Sequence, residues 1–566
     1  MLTTPWNMWD RGVQGRERPD TRHIPRIQSW KPGQPLSGSN LHSNKTLSLL
    51  NDLLHKIIKK HYLPNDTYFG YNVSVSDKLQ LYRNLSDKRN PKCRDIKYQS
   101  TGQLTVSVII PFYNEALTPL LRHVHTLLHR TPSHLLKEIL LVDDRSTFSY
   151  LGADLDRYFE ILDKRIRILR NKKRDGLIRT RMNGARKARG DVLVFLDAHM
   201  EVGVAWLEPL LERIVSQPRI VVQPDIPDIE YRHPKTNNHS VVNEESDKKE
   251  QDSSRPGMSW EMSQNWFPFP PYLHQAGYHQ TDAFPSPALQ GSAIVVRRSY
   301  FMSIRGFDEG LNIWGGEQLE LALKVWMTGG RVETVPCSIV GHVFKDNVNV
   351  KTDKEDIVVM KNVLRIAEIW MDEYADFVTA NSRANSHNGH LPTLTSQEVE
   401  SIHEGRHFRE RMGSESFKWY LEHVFPELKV PSRDDLLWGE IMKDDKCLFV
   451  VDDTFVAVDD VCESYGITFR TIFSLDKRGR LRNNGQCFGL DAETMSLLMI
   501  PCCKEDMAES AGKWEYTEHD QLMYRRPSGT YCLNLVKSEN AIRMESCKST
   551  NEQQSWSFQC RFEWES

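Results

Sequence analysis

The sequence predicts a doubly wound, Rossmann-like α/β domain followed by a cysteine-rich β-trefoil. Three observations carry this expectation. From Leu104, short β-branched runs alternate with amphipathic helical stretches, the pattern of βαβ units that build a parallel sheet. Cysteines crowd the last quarter of the chain, where Cys447 and Cys462, Cys487 and Cys502, and Cys532 and Cys547 are each 15 residues apart. The first members of those pairs recur every 40 to 45 residues, which marks a threefold internal repeat. A disulfide-rich domain of another topology is the competing reading, because cysteine spacing alone does not fix connectivity.

Taken in order, residues 1–50 read as a polar stem with proline and glycine. The strands are expected at LTVSVIIPF, EILLVDD, RIRILR and DVLVFLDA, with helices around 117–129, 150–163, 176–189 and 204–215. Right-handed crossovers place any ligand at the carboxyl ends of these strands, where Asp143, Asp144, Asp197 and His199 fall. Residues 231–256 are polar and aperiodic and read as a solvated loop. Helical periodicity returns at 357–377 and 397–421, and VPSRDD reads as a linker.

Composition narrows the function. A net charge of -3 and a pI near 6.7 give no bulk attraction to nucleic acid or to an anionic membrane. Cysteine-rich repeats and the sequons at Asn44, Asn65, Asn72, Asn84 and Asn238 agree with an oxidising compartment. The first 20 residues contain no apolar run of signal or membrane-span length. A secreted-type cysteine pattern without an entry signal points to a shortened N-terminus, so any membrane attachment rests on an anchor not visible in the chain.

The strand-end acids are the chemical centre of this reading. Asp143-Asp144 suits a turn, but at the end of the second strand a carboxylate also accepts hydrogen bonds from a uracil N–H or a ribose hydroxyl. Asp197-Ala198-His199 closes the fourth strand, and oxygen plus nitrogen donors suit a divalent ion such as Mn²⁺ that also holds a diphosphate. In NKKRDGLIRTRMNGARKARG, Arg174 and the following helix start either form a solvated basic face or approach that diphosphate. In GLNIWGGEQLE, Trp314 offers a flat face for a sugar, the glycines permit close backbone approach, and Glu317 either caps the next helix or acts in the site. His342 in CSIVGH is either a core histidine or a third metal ligand.

With these pieces in order, the chain resembles the polypeptide N-acetylgalactosaminyltransferases, which begin mucin-type O-glycosylation. The likeness runs from about Ser76 to the end and includes VSVIIPFYNEA, EILLVDDRS, RDGLIRTRMNGA, FLDAHME, IWGGEQLE, CSIVGH, AEIWMDEY and FKWYLEHVFPE. It implies a stem over 1–75, a GT-A catalytic domain over 76–430, a linker over 431–443 and a ricin-type β-trefoil lectin domain over 444–566. It further implies UDP-GalNAc as donor, Ser/Thr hydroxyls of proteins or glycopeptides as acceptors, and a Golgi-lumen location. The implied metal ligands for Mn²⁺ are Asp197, His199 and His342. Pro111, Asp144, Arg174, Asp197, Ala198, Trp314 and Lys345 take donor-site positions, and Glu317, Arg174 and Asp197 are the implied catalytic set for transfer with retention. Cys93 and Cys337 match a family disulfide, and Cys503 and Cys560 are the remaining candidates for a bridge.

Several positions depart from the family pattern. Tyr113 replaces the family histidine, Gln290-Gly291-Ser292-Ala293-Ile294 replaces its AGGLF segment, and Lys345, Val348 and Val350 replace lid residues. Thr328 and Ser414 replace a second cysteine pair. The trefoil's CLD triplets read Cys447-Leu448-Phe449, Cys487-Phe488-Gly489 and Cys532-Leu533-Asn534, with a QxW kept at Gln554 and Trp556. The leading expectation is an active UDP-GalNAc:polypeptide transferase. Its rival is an inactive paralogue that binds peptide, glycopeptide or a partner, and glycoside hydrolysis by paired acids is the weakest alternative.

Overall fold

The computed structural model describes residues 44–59, 66–98 except 83, 84 and 86, 104–229, 254–345, 353–386, 390–444, and 446–562 except 453, 454, 460–470, 484, 485, 491–496, 503–511, 528 and 538–540. Helices α1 (Asn44–Lys59), α2 (Asp66–Phe69) and α3 (Val73–Lys78) precede the sheet. Strand β1 (Val106–Phe112) leads into α4 (Leu117–Arg130), β2 (Leu136–Asp143) into α5 (Ala153–Leu162), and β3 (Ile166–Arg170) into α6 (Leu177–Lys187). Then follow β4 (Val192–Leu196), β5 (Met200–Val202), α7 (Glu208–Ser216) and β6 (Ile220–Asp225). The predicted βαβ alternation is therefore present, strand for strand.

Strands β3, β2, β1 and β4 are parallel neighbours in that order. Every residue of β1 is buried, as a strand covered on both faces requires. Its alternate side chains serve two cores: Val108 and Ile110 pack with α4, α5 and α7, whereas Ile109 packs toward α6. Gly184 lets α6 lie close to the sheet, since a Cβ there would stand 2.5 Å from Ile109 Cγ2.

Strands β7 (Ser254–Met258) and β8 (Gln264–Pro268) form a separate hairpin, followed by α8 (Pro271–Gln275) and β9 (Phe284–Pro285). The expected loop over 231–256 lies outside the described residues up to 253, and its last residues open β7 instead. Beyond it, β10 (Ala293–Arg297) inserts antiparallel between β4 and β6. Helices α9 (Arg298–Ser303) and α10 (Glu317–Met327) lead to β11 (Arg331–His342), which pairs parallel with β6 and antiparallel with β5. Helices α11 (Asp353–Trp370), α12 (Ala375–Ala384), α13 (Ser396–Arg411) and α14 (Phe417–His423) close the N-terminal half; α11, α13 and α14 fall largely in the two stretches where periodicity predicted them, while most of α12 lies beyond the first. Among the described residues no helix is long and apolar enough to cross a membrane.

The C-terminal part contains β12 (Asp435–Lys443), β13 (Lys446–Asp452), β14 (Phe455–Asp459), β15 (Phe473–Asp476), β16 (Leu481–Asn483), β17 (Gln486–Leu490), β18 (Leu497–Pro501), β19 (Lys513–Tyr516), β20 (Leu522–Arg526), β21 (Gly529–Val536), β22 (Ala541–Ser546) and β23 (Ser557–Arg561). These described strands fall into three sets of four, and in each set the second and third strands form a hairpin whose first strand carries a repeat cysteine. Disulfides Cys487–Cys502 and Cys532–Cys547 staple two of these hairpins. Cys447 is also disulfide-bonded, while Cys462 lies outside the described residues.

Two expectations are corrected here. The linker over 431–443 is largely β12, which pairs with β13, β15 and β23 because its Leu437, Trp438 and Ile441 supply buried apolar groups. Cys560 is a buried free thiol rather than a bridged one. It joins Trp438 and Phe562 in a core cluster of the N-terminal α/β half, and Cys503 lies outside the described residues. Cys93 and Cys337 do form a disulfide, across 244 residues.

Candidate metal and donor site

The site collects at the carboxyl ends of β1, β2 and β4 and at the end of β11. Pairing of β11 with β5 sets His342 opposite Met200, and the Val343 amide donates to the His199 carbonyl at 3.2 Å. A residue 143 positions after His199 in sequence is thus brought beside it. Donor atoms of Asp197, His199 and His342 lie within 4.8 Å of one another. His342 Nε2 is 3.5 Å from Asp197 Oδ2, and the two imidazole centroids are 5.0 Å apart. Both histidines are buried, while the Asp197 side chain stays 23% exposed toward the crevice.

The corner fits a divalent cation. Neither ring nitrogen of His342 has a hydrogen-bond partner among the described residues, although both are buried. Such an orphan is costly unless another ligand satisfies it. Burial, followed by nearby Lys345, lowers the His199 pKa and so favours the neutral ring that offers a lone pair. Burial acts to raise the Asp197 carboxyl, but contact with His342 and the charge of Arg181 outweigh it and hold the group below the usual carboxylate range.

Two side chains that the motif analysis did not single out support these candidate ligands. Glu115 Oε2 accepts from His199 Nδ1 at 3.0 Å, and its Oε1 accepts from Tyr71 Oη at 2.6 Å and from the Ala116 amide at 3.0 Å. Arg181, 1% exposed, donates to Asp197 Oδ1 at 2.9 Å, to the Gly291 carbonyl at 2.7 Å and to Glu317 Oε1 at 3.2 Å. Both had a signal in the sequence. Glu115 follows the end of the first parallel strand, and Arg181 sits three residues after Ile178 on the apolar stripe of α6, where a charge needs a partner.

At the end of β2, Asp144 is engaged with its own neighbourhood. It accepts from the amides of Asp175 and Gly176 at 2.7 and 2.9 Å and from Asn171 Nδ2 at 3.0 Å. Asp143 accepts from the Ser146 amide at 2.8 Å and pairs with Arg170, so it serves the turn. Arg174 lies with its guanidinium carbon 3.4 Å from the Tyr113 ring centroid and its Nε 3.9 Å from Asp144. Pro111 is buried within β1 opposite Val142, and Ala198 is buried between the two ligand positions.

The glycine-rich loop faces this crevice. Gly315 and Gly316 have φ of +102° and +84°, a region that side-chained residues rarely adopt. A Cβ on Gly316 would also stand 2.5 Å from Ile366 Cδ1 of α11. Asn362 of the same helix donates to the carbonyls of Asn312, Trp314 and Gly315, which leaves the Trp314 side chain 43% exposed. Glu317 is buried, accepts from the Gly315 amide at 2.9 Å and takes the Arg181 contact, so its carboxylate ties the glycine-rich loop to α6, and no side chain among the described residues caps α10. In the altered segment, Gly291 has φ +82° and Ser292 O accepts from the Asp197 amide at 3.0 Å. Lys345 is exposed, and Val348 and Val350 lie outside the described residues.

Elsewhere, Thr328 and Ser414 donate to the Lys324 and Arg409 carbonyls, a local use for hydroxyls where the family pattern has cysteines. Asn534 accepts from Asn551, while buried Gln554 and Trp556 bond within the third repeat to Lys548, Ser546 and Leu533. Phe449 pairs with Ala457 and Gly489 with Leu498 in their hairpins. Of the sequons, Asn44 opens α1 and Asn72 caps α3, and Asn65, Asn84 and Asn238 lie outside the described residues.

Residues 107–301 match the profile of glycosyl transferase family 2, and residues 273–346 match that of the N-terminal domain of galactosyltransferase. These spans cover the ligand-bearing strands and the glycine-rich loop, which makes the chain a glycosyltransferase. It is 34% identical over 519 residues to polypeptide N-acetylgalactosaminyltransferase 10 of Homo sapiens, covering 87% of this chain and 79% of the relative. It is also 34% identical over 500 residues to polypeptide N-acetylgalactosaminyltransferase 5 of Rattus norvegicus, covering 87% of this chain but only 51% of that longer protein. The crystal structure of GalNAc-T7 with UDP, GalNAc and Mn²⁺ superposes with a TM-score of 0.60 at 26% identity, over 97% of this chain and 100% of that one. The chain belongs to the polypeptide N-acetylgalactosaminyltransferase family.

Proposed function

We propose that this protein transfers N-acetylgalactosamine from UDP-GalNAc to Ser/Thr hydroxyls of proteins or glycopeptides in the Golgi lumen, with retention and with Mn²⁺ as cofactor. The observation that carries the reading is the convergence of Asp197, His199 and His342 at the carboxyl edge of the sheet. The relatives named above and the GalNAc-T7 structure with UDP, GalNAc and Mn²⁺ support the choice of donor and ion. When bound at this corner, the ion supplies Lewis-acid stabilisation of the leaving diphosphate.

The chain's own residues divide the remaining work. Asp197, His199 and His342 hold the ion. Arg174 meets the diphosphate by turning from the Tyr113 ring, where its exposed position gives it freedom to move. Asp144, Pro111, Ala198 and Lys345 line the nucleotide side, and Trp314 offers an exposed flat face to a sugar or acceptor. Arg181 locks the Glu317 carboxylate against the Gly291 carbonyl, so that Glu317 orients the sugar or the incoming hydroxyl. The trefoil is the lectin-type partner domain over 444–566, together with β12.

A second reading, a peptide- or partner-binding member without transfer, draws on the Tyr113–Arg174 stack, which commits the Arg174 guanidinium to a ring of the chain itself rather than to a diphosphate. Purified protein incubated with UDP-GalNAc, Mn²⁺ and a panel of Thr-rich peptides separates the two. Peptide glycosylation that is lost in Asp197→Ala supports the transferase. Absence of transfer together with absence of UDP binding by calorimetry rejects it in favour of the second reading.

A further inference from the structure

The metal corner is backed by a chain of buried polar contacts that begins well upstream of the sheet. Tyr71 lies between α2 and α3 and is 7% exposed. Its hydroxyl donates to Glu115 Oε1 at 2.6 Å, and its ring centroid is 5.9 Å from that of His199. Glu115, 5% exposed, uses its other oxygen to accept from His199 Nδ1 at 3.0 Å. A carboxylate that already accepts from a phenol and an amide can only accept from the imidazole as well. Nδ1 of His199 therefore carries the proton, and the lone pair is left on Nε2.

We propose that Tyr71 and Glu115 are positioning residues for the metal: they fix the tautomer and ring plane of His199, so that the segment preceding the sheet takes part in ion affinity. This inference rests on the metal-dependent reading of the site. A histidine ligand whose other nitrogen is held by a carboxylate is oriented before the ion arrives and is a stronger donor, and loss of such a partner typically lowers metal affinity by about 10- to 100-fold. The hydroxyl of Tyr71 in turn holds Glu115 against rotation toward Lys345, whose charge reaches the same carboxyl.

The test is Mn²⁺ binding to the purified full chain without nucleotide, read from loss of the free-ion signal in electron paramagnetic resonance. Thermal unfolding of the metal-free protein is recorded in parallel. Glu115→Gln is expected to weaken Mn²⁺ by about 10- to 100-fold and Tyr71→Phe by a smaller factor, in protein that remains folded. If Glu115→Gln fails to fold, Tyr71→Phe, which removes one oxygen, carries the test alone. Unchanged Mn²⁺ affinity in folded variants, with normal binding by the parent protein, overturns the positioning role and leaves the metal reading intact. Failure of the parent protein to bind Mn²⁺ rejects the metal reading itself.

Discussion

Arg181 is the residue on which the geometry of the site most depends, and Arg181→Lys isolates its contribution. The guanidinium reaches three acceptors at once, Asp197 Oδ1, the Gly291 carbonyl and Glu317 Oε1, at 2.7 to 3.2 Å. A lysine keeps the charge but replaces a planar fork with a single point, so it satisfies one acceptor well and abandons two. Hydrogen bonds to charged groups contribute about 1.5–3 kcal/mol each, so the loss is roughly 3–6 kcal/mol, felt by two carboxylates that are largely buried. Urea unfolding of the metal-free protein measures that cost. Release of Glu317 from its fixed position is expected to lower kcat for peptide glycosylation by about 100-fold, because displacement of a positioning group by about 1 Å has that effect. An Arg181→Lys protein within about 1 kcal/mol of the parent in stability, with unaltered kcat, would refute the claim that one cation holds the metal ligand and Glu317 together.

Three further outcomes follow from the same geometry. Burial, and secondarily Glu440, pushes the Glu261 carboxyl from 4.5 up to about 7. Between those values the folded chain keeps a proton that the unfolded chain has released, so stability falls as pH rises from about 4.5 to 7, by up to about 3 kcal/mol from this group. Denaturation midpoints across that range should flatten in Glu261→Gln. Replacing Cys93 and Cys337 together by Ser removes a bridge across 244 residues and should cost about 2–5 kcal/mol in urea unfolding, with no gain from added Mn²⁺ beyond that of the parent. Arg174→Ala should weaken UDP binding by calorimetry by about 10-fold, the loss of one charge-assisted contact of about 1.4 kcal/mol, and leave Mn²⁺ affinity unchanged.

The catalytic half was readable because its strands are short, β-branched and separated by helices of ordinary length, so period and position agree from β1 to β4. The candidate ligands Asp197 and His199 were readable for the same reason, as strand-end residues. His342 was raised as a core histidine or a third ligand, and the choice between them needed the pairing of β11 with β5, which no local pattern encodes. Arg181 and Glu115 escaped although each carried a signal, Glu115 just past the end of β1 and Arg181 on the apolar face of α6; their partners are distant in sequence, and only the closed sheet brings them into reach. In the C-terminal part the cysteine spacing gave the repeat, but Asp435–Lys443 was taken for a connector because VPSRDD before it has turn chemistry. Cys560 shows the limit of cysteine arithmetic, since it lies unpaired in an apolar core, where burial and then nearby Glu261 push its thiol pKa up.

That core has a consequence for how the molecule can be divided. Trp438, Cys560 and Phe562 come from the first and last strands of the trefoil and the residue just beyond, yet they are buried among Trp260, Phe377 and their neighbours from the catalytic half. Arg561 adds a backbone donor to Asn381 of α12 at 3.3 Å. A protein shortened before Asp435 would therefore open an apolar wound on its transferase portion, and the severed repeats would carry the matching scar. The two halves share a seam and stand or melt as neighbours, so the distance between any ligand on the repeats and the crevice of the sheet is set by packing rather than by the reach of a tether.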